Sequence, residues 1–89
     1  MMFEWDEVKR RANLIKHRVD FADAVGVFYD DLALTKLDQR NHNEDRLITL
    51  GTGYNDKLLL VVNVQRNADT IRIISARKAT KQERANYEN

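Results

Sequence analysis

Arg72-Ile73-Ile74-Ser75-Ala76-Arg77-Lys78-Ala79-Thr80, running on into Lys81-Gln82-Glu83-Arg84-Ala85-Asn86-Tyr87, is the stretch that decides the fold. Its first half alternates as a half-buried strand does. At Thr80 the pattern changes to a helix start, with Glu83 three residues later completing a capping box. Regular alternation puts Ile71, Ile73, Ser75 and Arg77 on one face and Arg72, Ile74, Ala76 and Lys78 on the other. The two arginines are therefore expected on opposite faces. An arginine among isoleucines is costly to bury alone, so each requires a carboxylate, a phosphate or open water. Arg77 sits where the strand gives way to the last helix, whose N-terminal N–H groups also favour an anion. It is the better phosphate ligand of the two, and Arg72 reads as a structural ion pair.

Working back from that stretch, Asn67-Ala68-Asp69 reads as a hairpin loop and residues 57–66 as the strand before it. Leu58-Leu59-Leu60-Val61-Val62 is apolar on both faces, which places this strand centrally in a sheet with helices over one side. Gly51-Thr52-Gly53-Tyr54-Asn55-Asp56 is a loop of turn formers closing a strand at residues 46–50. A polar loop at 38–45 separates that strand from another in which Leu32, Leu34 and Lys36 alternate with Ala33 and Thr35. At the N-terminus, Phe3-Glu4-Trp5 reads as an edge strand or an extended arm, and Asp6 as an N-cap. In the helix expected from Glu7 to His17, Val8, Ala12 and Ile15 form the inward stripe at i, i+4 and i+7, leaving Lys9, Arg10 and Lys16 to solvent. Asp20 caps a second helix whose stripe is Phe21, Ala24, Val25 and Phe28 and which ends near Asp30. The expected architecture is α+β: a short N-terminal strand, two helices, an antiparallel sheet of about four strands and a short C-terminal helix.

The chain has 89 residues, 43% of them hydrophobic, which suits one domain spanning 1–89. Fifteen Lys and Arg against fourteen Asp and Glu leave a formal charge of +1, so no global field announces a nucleic-acid or membrane partner; any such partner must be read locally. The absence of cysteine removes disulfides, thiol catalysis and thiolate metal sites. There is no apolar leader at the N-terminus, and the longest apolar run, Leu58 to Val62, cannot span a bilayer. A soluble cytoplasmic protein with no membrane partner is the expectation. His17 and His42 lack the spaced His and carboxylate pattern of a zinc site, and Gly51-Thr52-Gly53 lacks the lysine and helix of a phosphate loop. No metal or cofactor is expected.

Phe3-Glu4-Trp5-Asp6-Glu7, Asn13 with Lys16-His17, Phe21 with Ala24 and Phe28, Glu44 with Arg46, Gly51, and the run from Arg72 to Thr80 with Glu83, Arg84 and Tyr87 together give a resemblance over nearly the whole chain. In these pieces it resembles the BrnT toxins of bacterial type II toxin-antitoxin systems. The resemblance implies a RelE-like fold, a ribonuclease that arrests growth by cutting RNA, and neutralisation by a BrnA-like antitoxin that also supplies the DNA-binding part of the complex, so that DNA is reached only indirectly. After Lys16-His17 the family generally has glycine, where this chain has Arg18. If that position needs a positive φ, the side chain adds strain. The loop around His42 varies within the family.

Cleaving RNA through its own 2′-hydroxyl requires a base for that hydroxyl, cationic donors for the phosphoryl oxygens and an acid for the leaving 5′-oxygen. Arg46, Arg72 and Arg77 are the candidate phosphate ligands, because a planar fork suits a phosphate bidentately; their alternative is pairing with Glu44, Glu83 or a C-terminal carboxylate. Glu44 is the candidate base, or else orients Arg46. His42 is a candidate acid or base, or a solvated loop histidine, and His17 reads as a helix cap or packed residue. Lys57 and Lys78 are auxiliary RNA contacts. Tyr87 either stacks on a base or anchors the last helix to the sheet. The competing function is a non-catalytic or degenerate toxin-fold module that binds an antitoxin or RNA.

Overall fold

A computed structural model describes residues 1–40 and 45–89. The chain runs β1 (Met2–Glu4), α1 (Glu7–His17), α2 (Phe21–Ala24), a 3-10 turn (Val25–Tyr29), β2 (Leu34–Leu37), β3 (Arg46–Thr52), β4 (Leu58–Asn67), β5 (Thr70–Lys78) and α3 (Lys81–Glu88). The strands form one sheet in the order β1-β5-β4-β3-β2. β2 to β5 are the antiparallel meander expected from the sequence. The sheet has a fifth member, however, because β1 pairs in parallel with the start of β5, Phe3 lying opposite Ile71 and Glu4 opposite Arg72. A segment read as an edge strand or arm is thus an edge strand.

β4 lies at the centre, as its two apolar faces require. On one face Leu59 and Val61 join Ile73 and Ala76 in a core closed by Val19, Phe21, Ala24 and Val27 from the helical layer, with Phe3, Trp5 and Phe28 at its margin. Phe21 is completely buried and meets Trp5 edge-on, with ring centroids 6.0 Å apart; burial of one such side chain contributes about 2–3 kcal/mol. On the other face Leu50, Leu58 and Leu60 form a smaller cluster against Ile48, Ala79 and Tyr87. α3 covers only that end, so the rest of the face is open among the described residues.

Three further expectations are corrected. The second helix is one α-turn continued as a 3-10 turn. The Asp23 carbonyl, which a continuing α-helix would use, accepts the Tyr54 N–H at 2.9 Å. Gly26 is where the two segments touch, since a Cβ there would lie 2.6 Å from Tyr54 N. The expected inward stripe of α1 faces solvent: Val8 is 74% and Ile15 83% exposed. The helix is held instead by Asn13, 6% exposed, whose Oδ1 accepts from Ala76 N–H at 3.1 Å while its Nδ2 donates to Ala76 O at 2.8 Å and Val19 O at 2.9 Å. The carboxamide takes the place of a neighbouring strand where β1 has ended, a role no apolar periodicity reveals.

The last correction concerns the deciding stretch itself. Val62 pairs with Ser75 but Asn63 pairs with Ile73, so Ile74 is an extra residue in β5. A bulge of this kind changes the phase of alternation. Ile71 and Ile73 are buried before it, and Ala76 after it. Arg72 pairs with Val64 and Arg77 with Leu60, and both partners lie on the open side of β4. The two arginines therefore share a face, contrary to regular alternation. Arg18, finally, closes α1 with φ 59 and ψ 32, the left-handed conformation that glycine adopts without strain.

Candidate functional site

Register assigns the open face row by row. Arg46 on β3, Val64 on β4, Arg72 on β5 and Glu4 on β1 are successive Cα partners in one row. Lys36, Ile48, Val62 and Ser75 make the next, and Leu34, Leu50, Leu60 and Arg77 the third. Neighbouring strands are about 4.8 Å apart and residues about 3.3 Å apart along a strand, so Arg46 and Arg72 are separated by roughly 10 Å and Arg77 lies about 13 Å further along. Four cations of β2, β3 and β5 thus stand over an aliphatic floor. The face holds a cleft of about 320 Å³ lined by Leu34, Lys36, Ile48, Leu50, Leu60, Glu83 and Asn86 among others.

The cations are held in defined poses. Arg77 donates Nη1 to Glu83 Oε1 at 2.8 Å and Nη2 to Oε2 at 2.9 Å, a two-pronged pair. Glu83 also accepts Thr80 N–H at 2.8 Å, while Thr80 Oγ1 accepts Glu83 N–H at 3.2 Å, so the expected capping box is present. The Arg77 hydrogen bonds, reinforced by Thr80 N–H, pull the Glu83 carboxyl from 4.5 to about 2 against the opposing effect of burial. Arg72 Nη1 donates to Glu4 Oε2 at 2.8 Å, and Arg66 Nε lies 4.0 Å from the same oxygen. Arg46 is half-buried and its carbonyl accepts Asp38 N–H at 2.8 Å. Arg40 donates Nε to Asp38 Oδ1 at 3.1 Å; its side-chain and backbone hydrogen bonds, helped by the charges of Arg40 and Arg46, hold the Asp38 carboxyl below its usual range.

The other expected residues fall elsewhere. His42 and Glu44 lie outside the described residues. Lys57 is in the turn before β4, and Lys78, opposite Leu59, is turned toward the helical side; both are exposed. Tyr87 is half-buried against Leu50, Leu58 and Leu60, and its hydroxyl donates to Asp30 Oδ2 at 2.5 Å. Burial pushes the Asp30 carboxyl up, but hydrogen bonds from Tyr87, Thr52 N–H and Leu32 N–H outweigh it, leaving Asp30 lowered and Tyr87 raised. In this arrangement Tyr87 anchors α3. His17 is half-buried at the end of α1, beside Ile74 and Ser75 of β5, and does not line the cleft. Two contributors went unread in the sequence. Lys36 appeared only as a strand position, and Glu4 only as the residue between two aromatics. Their signal was alternation, but it becomes visible only once the strand pairing is known. No group of three or more His, Cys, Asp or Glu suited to a metal occurs among the described residues.

The fold and this face define a small α+β domain with cationic side chains presented on a half-covered sheet. Residues 5–83 match the sequence model of the family described as "Ribonuclease toxin, BrnT, of type II toxin-antitoxin system", and the chain belongs to that family. Among solved structures it is similar to the crystal structure of the Brucella abortus ribonuclease toxin BrnT. The TM-score is 0.66 and the identity 27%, covering 91% of this chain and 100% of that one. No curated protein matches the chain. A family of type II toxins implies an antitoxin as partner. No helix among the described residues is long and apolar enough to cross a membrane.

Proposed function

We propose that this chain is a growth-arresting endoribonuclease, RelE-like in fold, that binds RNA across its open sheet face and cleaves it without a metal ion. The observation that carries this reading is the gathering of Arg46, Arg72, Arg77 and Lys36 on one half-covered face. Single-stranded RNA laid along β4 meets the Arg46–Arg72 row first and Arg77 about 13 Å on, so the arginines contact separate, non-adjacent phosphates of one strand, with one of them supporting the scissile group. The RNA 2′-oxygen attacks the adjacent phosphorus and the bond to the 5′-oxygen breaks; a base takes the hydroxyl proton and an acid returns one to the leaving oxygen. Glu83, with a carboxyl at about 2, is a poor base. Glu44, two residues before Arg46, takes that role, with His42 as the acid. Lys57, exposed in the turn before β4, extends the backbone contact, Lys78 faces the helical side and is left out of it, and Tyr87 serves the site by fixing α3. The substrate places the reaction in the cytoplasm, and a BrnA-like antitoxin neutralises it and connects it to DNA.

One observation favours a second reading, a binding module without catalysis: Arg72 and Arg77 already have carboxylate partners. Purified protein incubated with RNA and EDTA separates the two. Cleavage in EDTA, lost in Arg46→Ala and Glu44→Gln while both keep the parental circular dichroism, is expected. Intact RNA under conditions where the protein retains it on a filter would establish the binding module instead.

A further inference from the structure

The apolar stripe of α1 belongs to no core of this chain. We infer that the outer face of α1 is the docking surface for an acidic amphipathic helix of the antitoxin, an inference that rests on the type II reading, in which such a partner exists. Val8 and Ile15 are 74% and 83% exposed on a well-formed helix. Seven residues apart, they stand within about 20° of each other around the axis and about 10 Å apart along it. Ala12, also exposed, fills the gap between them. The sheet-facing side of the helix is the opposite one, where Arg10, Asn13 and His17 are the less exposed positions.

Cations border the ridge. Lys9 and Lys16 run along one flank and Arg11 along the other, and α1 carries four Lys and Arg against Glu7 alone. Arg10 is committed to Glu7 and, at 3.1 Å, to Asp20. Among the described residues no carboxylate forms an ion pair with Lys9, Arg11 or Lys16. In a chain of net charge +1 this is a local concentration of unneutralised positive charge.

The combination selects the occupant. An apolar ridge with i, i+4, i+7 spacing is complementary to a second helix, and its basic borders call for acidic residues beside that helix's own apolar stripe. RNA would use the cations but gains little from Val8 and Ile15. A second copy of the chain docked symmetrically would bring each basic border against the same border of its twin, which like charges oppose. Because α1 is held at the edge of β5 through Asn13 and its outer face carries none of Arg46, Arg72 and Arg77, the helix docked there is an anchor, and neutralisation is completed by another segment reaching the open face.

The test is calorimetric titration of the antitoxin, taken as the gene product that restores growth on co-expression, into wild-type toxin and into Val8→Ala/Ile15→Ala. Both sites are exposed and alanine favours helix, so the fold persists, as thermal melts will check. The double variant removes about five methylene equivalents from the contact and should bind about 100-fold more weakly. It should stay toxic alone and remain toxic at antitoxin levels that rescue the wild type. Lys9→Glu/Lys16→Glu should weaken binding further at low salt than at high salt. Undiminished affinity of the Val8→Ala/Ile15→Ala protein for an antitoxin that binds the wild type overturns the surface and leaves the type II reading intact. An antitoxin search in which no gene product binds or rescues the wild type removes both. Loss of RNA retention by Lys9→Glu/Lys16→Glu with antitoxin binding unchanged, or a change in the oligomeric state of the isolated Val8→Ala/Ile15→Ala chain, reassigns the face and refutes the proposal.

Discussion

Glu83→Gln isolates the electrostatic contact that ties the open face to α3. Glutamine keeps the shape of the side chain and can still accept from Thr80 N–H, but it leaves Arg77 facing a neutral group. In the folded protein the Glu83 carboxyl is held at about 2 rather than 4.5; that difference corresponds to about 3 kcal/mol of preference for the ionised form. The Arg77 side chain is 34% exposed, and solvent screening brings the expected contribution to about 1–2 kcal/mol. Because the folded value is depressed, this stability is fully present above 4.5 and is lost as pH falls toward 2. Urea unfolding of wild type and variant at pH 7 and at about pH 2.5 measures it: the variant should be less stable by about 1–2 kcal/mol at pH 7, and the gap should largely close in acid. A gap of equal size at both pH values would mean that Glu83 contributes through packing or the cap alone, and the ion-pair argument would fail.

Arg18→Gly should raise stability by about 0.5–1 kcal/mol in the same assay, because relief of the left-handed strain at φ 59 exceeds the extra freedom given to the unfolded chain. Asn13→Ala strips both polar groups of Ala76 and the Val19 carbonyl of their partner; a loss of about 3 kcal/mol, with faster amide exchange at Ala76, is expected. Tyr87→Phe removes the hydroxyl that donates to Asp30, so α3 should fray and unfolding should cost about 1–2 kcal/mol less, visible as an earlier melt; an unchanged melt would show that the apolar contacts of the ring suffice. Gly26→Ala would drive a methyl into Tyr54 N and should destabilise by about 2–3 kcal/mol, measured by thermal unfolding.

What the sequence showed and what it concealed divide along physical lines. Signals that act within a few residues were legible: the Asp6 cap, the Thr80–Glu83 capping box, the two-faced apolar run of β4 and the turn formers between strands all act where they stand. The positive φ at Arg18 was flagged by a missing glycine. Signals set by distant partners were not legible. The period of Val8, Ala12 and Ile15 gives an apolar stripe but not which side of the helix meets the sheet; Asn13 decided that through hydrogen bonds to Ala76, 63 residues away. Nor does the spelling Ile73-Ile74-Ser75 reveal a bulge, since either isoleucine suits either face. Arg72 and Arg77 consequently read as divided between two faces, and only the pairing of β4 with β5 unites them.

That union has an energetic consequence for the proposed reaction. A phosphate approaching Arg77 competes with a carboxylate already making two hydrogen bonds, and the same carboxylate closes the capping box of α3. Substrate binding there therefore loosens the start of α3 by the amount it draws from Glu83, whereas at the other row a phosphate competes with Glu4, which lies on the edge strand β1. Both ends of the open face are thus guarded by carboxylates from peripheral elements rather than from the sheet centre. Releasing either one costs an ion pair but leaves the β3-β4-β5 core intact, which is how a domain with so small a core can present arginines for exchange without unfolding.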